Sequence, residues 1–186
     1  MCEDHRSSIQ DAVTEKEKQQ NLAEFSQHID DAQKERAAYL AAIDKAKLSS
    51  GPTGDKMSSH ITFDFAQQLF LPYHACQVGP LFYKVPFSVQ MFGICNDAVP
   101  LQVNYLFREK EALGVNGSKS HGPNDVISVL HHYLAVHSGN KPLLHLHADN
   151  CVGQNKNKSV LAYLMWRTLV GLSGEVTLSF MRVGHT

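Results

Sequence analysis

The chain has 186 residues, 43% of them hydrophobic, with 17 basic side chains against 18 acidic ones. That length and apolar content suit one domain with a real core plus an appendage. The near-balance of charge excludes a global field that would recruit nucleic acid or an anionic membrane.

Cys2, Cys76, Cys95 and Cys151 are scattered without a CxxC pair, so neither a disulfide framework nor a zinc ribbon is indicated. The start, MCEDHRSS, lacks the apolar run of a signal peptide. Arg167 interrupts the longest helical apolar stretch, so no membrane span is expected. An intracellular, reducing compartment fits this usage.

From about Asp4 to Leu48 the chain carries no Pro or Gly and reads as one charged helical segment, assigned to residues 1–48. Leu22, Phe25, Ile29, Ala32, Tyr39, Ile43 and Ala46 follow alternating steps of three and four, with Arg36 at one seam position. So narrow a seam cannot stabilise a lone helix. It can pair with a second copy, giving a homodimer through residues 22–46, fold back as a hairpin, or dock on the following domain. SSGPTGDKMSS, residues 49–59, reads as a flexible linker.

Residues 60–186 then change to extended patterning. HITFDFAQQLFL, His60 to Leu71, sets Ile61, Phe63 and Phe65 on one face and Thr62 and Asp64 on the other, with Pro72 marking its end. Leu81 to Cys95, bent at Pro86, and Pro100 to Arg108 are the next two extended stretches, so an antiparallel meander is expected. A helix follows from Pro123, with Val126, Ile127, Leu130, Tyr133 and Leu134 as its apolar stripe and Gly139 ending it.

LLHLHADNCVGQNKNK, Leu143 to Lys158, is the most informative stretch. Its strand points Leu144, Leu146 and Ala148 one way and His145, His147 and Asp149 the other. Asp149 either caps the next helix or needs a charge partner, because an ionised Asp at the end of a largely buried strand is costly. Gln154, Asn155, Lys156, Asn157 and Lys158 suit phosphate contact near a helix N-terminus, or else form a polar turn with a cap. A second helix, Lys158 to Val170, is expected to turn Leu161, Leu164, Met165 and Leu169 inward, and EVTLSFMR, Glu175 to Arg182, is a fifth strand.

The order strand, strand, strand, helix, strand, helix, strand matches an α/β, ribonuclease H-like mixed sheet of five strands with crossing helices. In that fold the first and fourth strands are neighbours, which brings Asp64 beside Asp149. Two carboxylates about 5 Å apart repel by roughly 3 kcal/mol at an effective dielectric near 20. A proton or a divalent cation relieves this, and oxygen-only ligands favour Mg²⁺ or Mn²⁺. His145, His147 and Cys151 as a zinc site lack a fourth ligand.

FDFAQQLFLP, HADNCVGQNKN and FMRVGHT resemble, in that order, the motifs of a domain-of-unknown-function family of eukaryotic transposon-derived proteins. The resemblance covers His60 to the C-terminus and extends to Ala32, Arg36 and Tyr39 of the preceding helix. It implies a DDE-type transposase core acting on DNA phosphodiesters in the nucleus. Asp64 and Asp149 would then be the first two catalytic, metal-binding acids. In the family a further acid-bearing segment follows GHT, and none of Asp97, Glu109, Asp125 or Glu175 stands where that third acid belongs. The sequence therefore suggests a chain truncated after its fifth strand and inactive or nearly so. The other readings are a domesticated, non-catalytic nucleic-acid- or protein-binding module and a structural protein that self-associates through its N-terminal helix.

Overall fold

The structure, a computed structural model, describes residues 2–49, 58–73, 79–99, 101–108, 111, 122–138 and 142–180. The N-terminal segment is two helices, α1 (Cys2–Gln10) and α2 (Glu15–Ser49). The break is a capping box: the Glu17 amide donates to Thr14 Oγ1 at 3.2 Å, and the Thr14 amide donates to Glu17 Oε2 at 3.0 Å. α1 folds back on α2 as a hairpin, with the His5 ring centroid 5.0 Å from that of His28 and Asn21 Nδ2 donating to the Ser8 carbonyl.

Strands β1 (Ser58–Phe65), β2 (Leu69–Leu71), β3 (Phe87–Asn96), β4 (Leu101–Arg108), β5 (Leu143–Ala148) and β6 (Glu175–Phe180) form one mixed sheet. β3 runs antiparallel to β1, β2 and β4, while β5 runs parallel to both β1 and β6. β1 and β2 lie end to end along the same edge of β3, so the sheet reads β4, β3, β1 with β2, β5, β6 across its width.

Six strands replace the expected five because His60–Leu71 is interrupted. Phe65 pairs with Phe92 and Leu69 with Val89, so residues 66–68 face only residues 90–91. The extra residue makes a β-bulge just beyond Asp64. The second extended stretch also begins later than expected. Leu81 and Phe82 belong to a short helix, α3 (Gly79–Phe82), and β3 starts at Phe87, immediately after Pro86. Of the expected linker, Ser49 closes α2 and Ser58 and Ser59 open β1; its other residues, like Arg182 at the end of the expected fifth strand, lie outside the described residues.

One face of the sheet is the core. Ile61, Phe63, Phe92, Ile94, Leu144, Leu146 and Ala148 are buried there beneath α4 (Pro123–Tyr133), its π-helical extension Leu134–Ser138, and α5 (Lys158–Leu169). On α4 the expected stripe holds, with Val126, Leu130, Tyr133 and Leu134 buried and Ile127 packed against them. On α5 it does not: Val160, Leu164 and Arg167 are buried, while Leu161, Met165 and Leu169 are exposed. Apolar residues surround this helix, so period alone cannot choose a face, and the paired Arg167 and Tyr163 take the inner one. Arg167 is 2% exposed and its Nη1 donates to the Tyr163 hydroxyl at 3.2 Å.

The opposite face is polar, and α2 covers part of it. The Tyr39 ring lies 4.6 Å from that of His147 and 5.3 Å from that of His60, its hydroxyl is 3.3 Å from Thr62 Oγ1, and Ile43 and Ala46 are buried. The C-terminal half of the seam is thus used within the chain. His60, fully buried, bonds through Nδ1 to Asp97 Oδ2 at 2.8 Å, and Thr62 Oγ1 donates to the same oxygen at 2.6 Å. Burial alone would raise the Asp97 carboxyl, but these two hydrogen bonds bring it below its ordinary value. His145 Nε2 and His147 Nδ1 share Ser179 Oγ at 3.0 and 2.9 Å.

Burial, with like charge from His60 and His145, depresses His147 to about 4. A histidine whose folded value lies below its unfolded one favours the neutral ring, so its stabilisation is complete above about pH 6.5 and is lost as pH falls toward 4. A loss of roughly 3 kcal/mol across that window is expected from the size of the shift. Melting temperatures between pH 7 and pH 4.5 should fall less steeply in His147→Gln than in the wild-type chain. Equal slopes would show that another group controls acid unfolding.

Candidate functional site

The parallel ladder of β1 and β5 pairs Ser58 with Leu143 through to Phe63 with Ala148. The next residue on each strand is Asp64 and Asp149. Both acids therefore leave the same end of adjacent parallel strands, where neighbouring chains lie about 4.8 Å apart. Asp64 is exposed, but partial desolvation raises its carboxyl above its ordinary value, and the Asp149 charge raises it further against an opposing hydrogen bond from the Phe65 amide.

Each carboxylate is held by one oxygen. Asp64 Oδ1 accepts from the Phe65 amide at 2.7 Å. Asp149 Oδ1 accepts from the Cys151 amide at 3.1 Å and from Asn155 Nδ2 at 2.6 Å. Oδ2 of each takes no hydrogen bond among the described residues. Asp149 does not cap α5: that part falls to Asn157, whose Oδ1 accepts from the Ser159 and Val160 amides at 3.0 and 3.1 Å.

The five residues expected to meet phosphate divide into two sets. Asn155 is fully buried against Asp149 and Asn157 is spent on the cap, so neither presents its side chain for that purpose. Lys156 and Lys158 are exposed and Gln154 is half-buried. The Lys156 ammonium lies 5.3 Å from the Phe180 ring centroid, at the C-terminal end of β6, the strand beside β5. On the other side of Asp64, a depression of about 280 Å³ is lined by Thr62, Asp64, Gly93, Gln102 and Asn104, among others. Gly93 pairs with Asp64, and a Cβ there would meet the Gln102 and Asn104 amides in ordinary contact at 3.6 and 3.4 Å. Sequence reasoning missed these three. Their available signal was a glycine inside a strand opposite an acid.

The site's donors suit a hard cation: two carboxylates with an open oxygen each and no thiolate or imidazole between them. Among the described residues, no three or more His, Cys, Asp or Glu side chains are grouped so as to hold a metal ion. That covers His145 and His147 with Cys151, whose histidines are engaged by Ser179.

Residues 109–186 match the family described as a domain of unknown function (DUF7869). That match takes in α4, β5, α5 and β6, hence Asp149 and Asn155, but not β1 with Asp64. No curated protein and no solved structure matches the chain. Among the described residues, no helix is long and apolar enough to cross a membrane.

The raised Asp64 carboxyl has a consequence for stability. An acid whose folded value exceeds its unfolded one weakens the fold as pH rises through its unfolded value, and the penalty is fully present at neutral pH. Asp64→Asn removes the charge without altering shape. In chelator at pH 7 it should raise the melting temperature, and near pH 3 the difference should vanish. A lower melting temperature at pH 7 would show that the Asp64 charge is satisfied in the fold.

Proposed function

We propose that β1 to β6 form a ribonuclease H-like core and that the Asp64–Asp149 pair binds Mg²⁺ or Mn²⁺ for phosphodiester chemistry on DNA. The observation that carries this reading is the meeting of two acids from distant sequence at one end of adjacent parallel strands, with the Asp64 carboxyl raised by partial desolvation and by its neighbour's charge. The sheet order supports it: a three-strand antiparallel unit, then two parallel strands added beside β1 through helical crossovers. The carboxyl ends of strands in open α/β sheets are where ligands bind.

A bound divalent cation would supply charge stabilisation at the reacting phosphate and a nucleophile at neutral pH. Asp64 and Asp149 would be its ligands through Oδ2, with their Oδ1 atoms fixing the carboxylate planes. Lys156, Lys158 and Gln154 would steady the DNA backbone on one flank. The depression over Gly93 leaves room beside Asp64 on the other. The transposon-derived DDE reading calls for a third carboxylate. With two alone most of an octahedral shell is left to water, so weak binding and slow or absent cleavage are expected.

The absence of a third acid beside the pair among the described residues favours, as a second reading, a DNA-binding module that keeps the fold without turnover.

The test is Mn²⁺ titration and supercoiled-DNA nicking on the wild-type chain and on Asp149→Asn. Weak Mn²⁺ binding that disappears in Asp149→Asn, with little nicking, is the expected pattern. Binding unchanged by the substitution would remove the site. Robust nicking that Asp149→Asn abolishes would show that two carboxylates suffice.

A further inference from the structure

Asn155 is the only residue of the 154–158 polar turn that is fully buried, and its side chain is spent on Asp149. Its Nδ2 donates to Asp149 Oδ1 at 2.6 Å, the shorter of the two bonds that carboxylate accepts. A carboxylate oxygen only accepts, so the amide nitrogen must face it, and this fixes the orientation of the whole amide. Asn155 Oδ1 is thereby left buried with no hydrogen-bond partner among the described residues.

A buried acceptor without a partner is costly, and native folds keep few of them. A turn that needed only an internal brace could use the amide without stranding its oxygen. Asn155 is also held in place independently of Asp149. The amides of Asn155 and Lys156 both donate to the Cys151 carbonyl, at 2.8 and 3.0 Å, and Asn157 next to it is fixed as the N-cap of α5. The donor is therefore anchored to a helix end, while its acceptor sits at a strand end.

We propose that Asn155 is a positioning residue for the cation site, resting on the metal-binding reading of Asp64 and Asp149. Its Nδ2 locks the Asp149 carboxylate so that Oδ2 faces the cation. The amide thus serves the site from behind, through its bond to the ligand. Residues that orient a metal ligand in this way typically change affinity by about 10- to 100-fold when removed.

The experiment is a Mn²⁺ titration of the 186-residue chain, read from the electron paramagnetic resonance of the free ion. It compares wild type, Asp149→Asn, Asn155→Leu, Asn155→Ala and Asn155→Ser. Leu keeps the volume and loses both polar atoms; Ser restores a small donor and acceptor. Asn155→Leu and Asn155→Ala should bind Mn²⁺ about 10- to 100-fold more weakly, with part of the loss recovered in Asn155→Ser. Adding Asn155→Leu to Asp149→Asn should change nothing further. A residue that merely braces the turn would alter the melting temperature and leave the Mn²⁺ affinity of the folded variants at the wild-type value, which overturns the proposal. If wild type fails to bind, or Asp149→Asn binds as well, the cation site itself falls and this role with it. If those two differ as expected and the Asn155 variants do not, only the role falls. Should neither Leu nor Ala fold, the side-chain amide resonance of Asn155 in the wild-type chain decides. Mg²⁺ should shift it while leaving that of Asn21, on the N-terminal hairpin, in place. An unmoved Asn155 signal overturns the assignment.

Discussion

The parallel pairing of β1 with β5 is the constraint on which the rest of this molecule depends. Residues side by side in a parallel ladder point the same way, and successive residues alternate between faces. One register therefore makes two surfaces at once. Ile61 beside Leu146 and Phe63 beside Ala148 build the floor on which α4 and α5 pack. His60 beside His145 and Thr62 beside His147 build the polar face. A slip of one residue would turn imidazoles into the core and leucines outward, so core burial holds the polar array in place. The acids at positions 64 and 149 inherit their juxtaposition from this register.

The polar face would be expensive to bury if its groups were unpaired. It is instead arranged as a short network: Tyr39, Thr62, Asp97 and His60 on one side, and His145, Ser179 and His147 on the other. α2 closes over it with an aromatic ring, so the helix that carries the apolar seam is held as much by imidazoles as by Ile43 and Ala46. Nε2 of His60 and of His147 has no hydrogen-bond partner among the described residues. Docking of α2 on this face thus depends on the charge state of the rings beneath it.

Strand order and the alternation of β1 and β5 were legible because burial on one face writes itself into the sequence with period two. The meeting of Asp64 and Asp149 followed from order alone, since no local signal connects residues so far apart. Other features were legible but overlooked. Thr14 and Glu17 spell a capping box that breaks the N-terminal segment, yet the uninterrupted helix formers around them left one helix or two open. The face of α5 was not legible, because a helix apolar on all sides has no preferred phase. A paired arginine took the inner position that leucines were expected to fill. The bulge at residues 66–68 depends on a count against β3, so it cannot be read from β1 itself.

The polar turn after β5 shows most sharply how one composition serves different physics. Asn155 and Asn157 are two residues apart and chemically identical, and each was a candidate for phosphate. Chain geometry separates them. Asn157 has the extended backbone of an N-cap, at φ −145° and ψ 170°, so its oxygen meets the free amides that open α5. Asn155 lies inside the turn, where the amides after Cys151 converge on one carbonyl, and its side chain has only the strand end to meet. The first asparagine thus ties the turn to the acid and the second ties it to the helix. A lysine beside each remains exposed. Charge stays at the solvent surface while neutral amides fill the interior, because burying a lysine next to a carboxylate would neutralise the acid pair from within. A neutral donor can orient Asp149 without cancelling its charge, and so preserves the negative potential on which any cation at this strand end would depend.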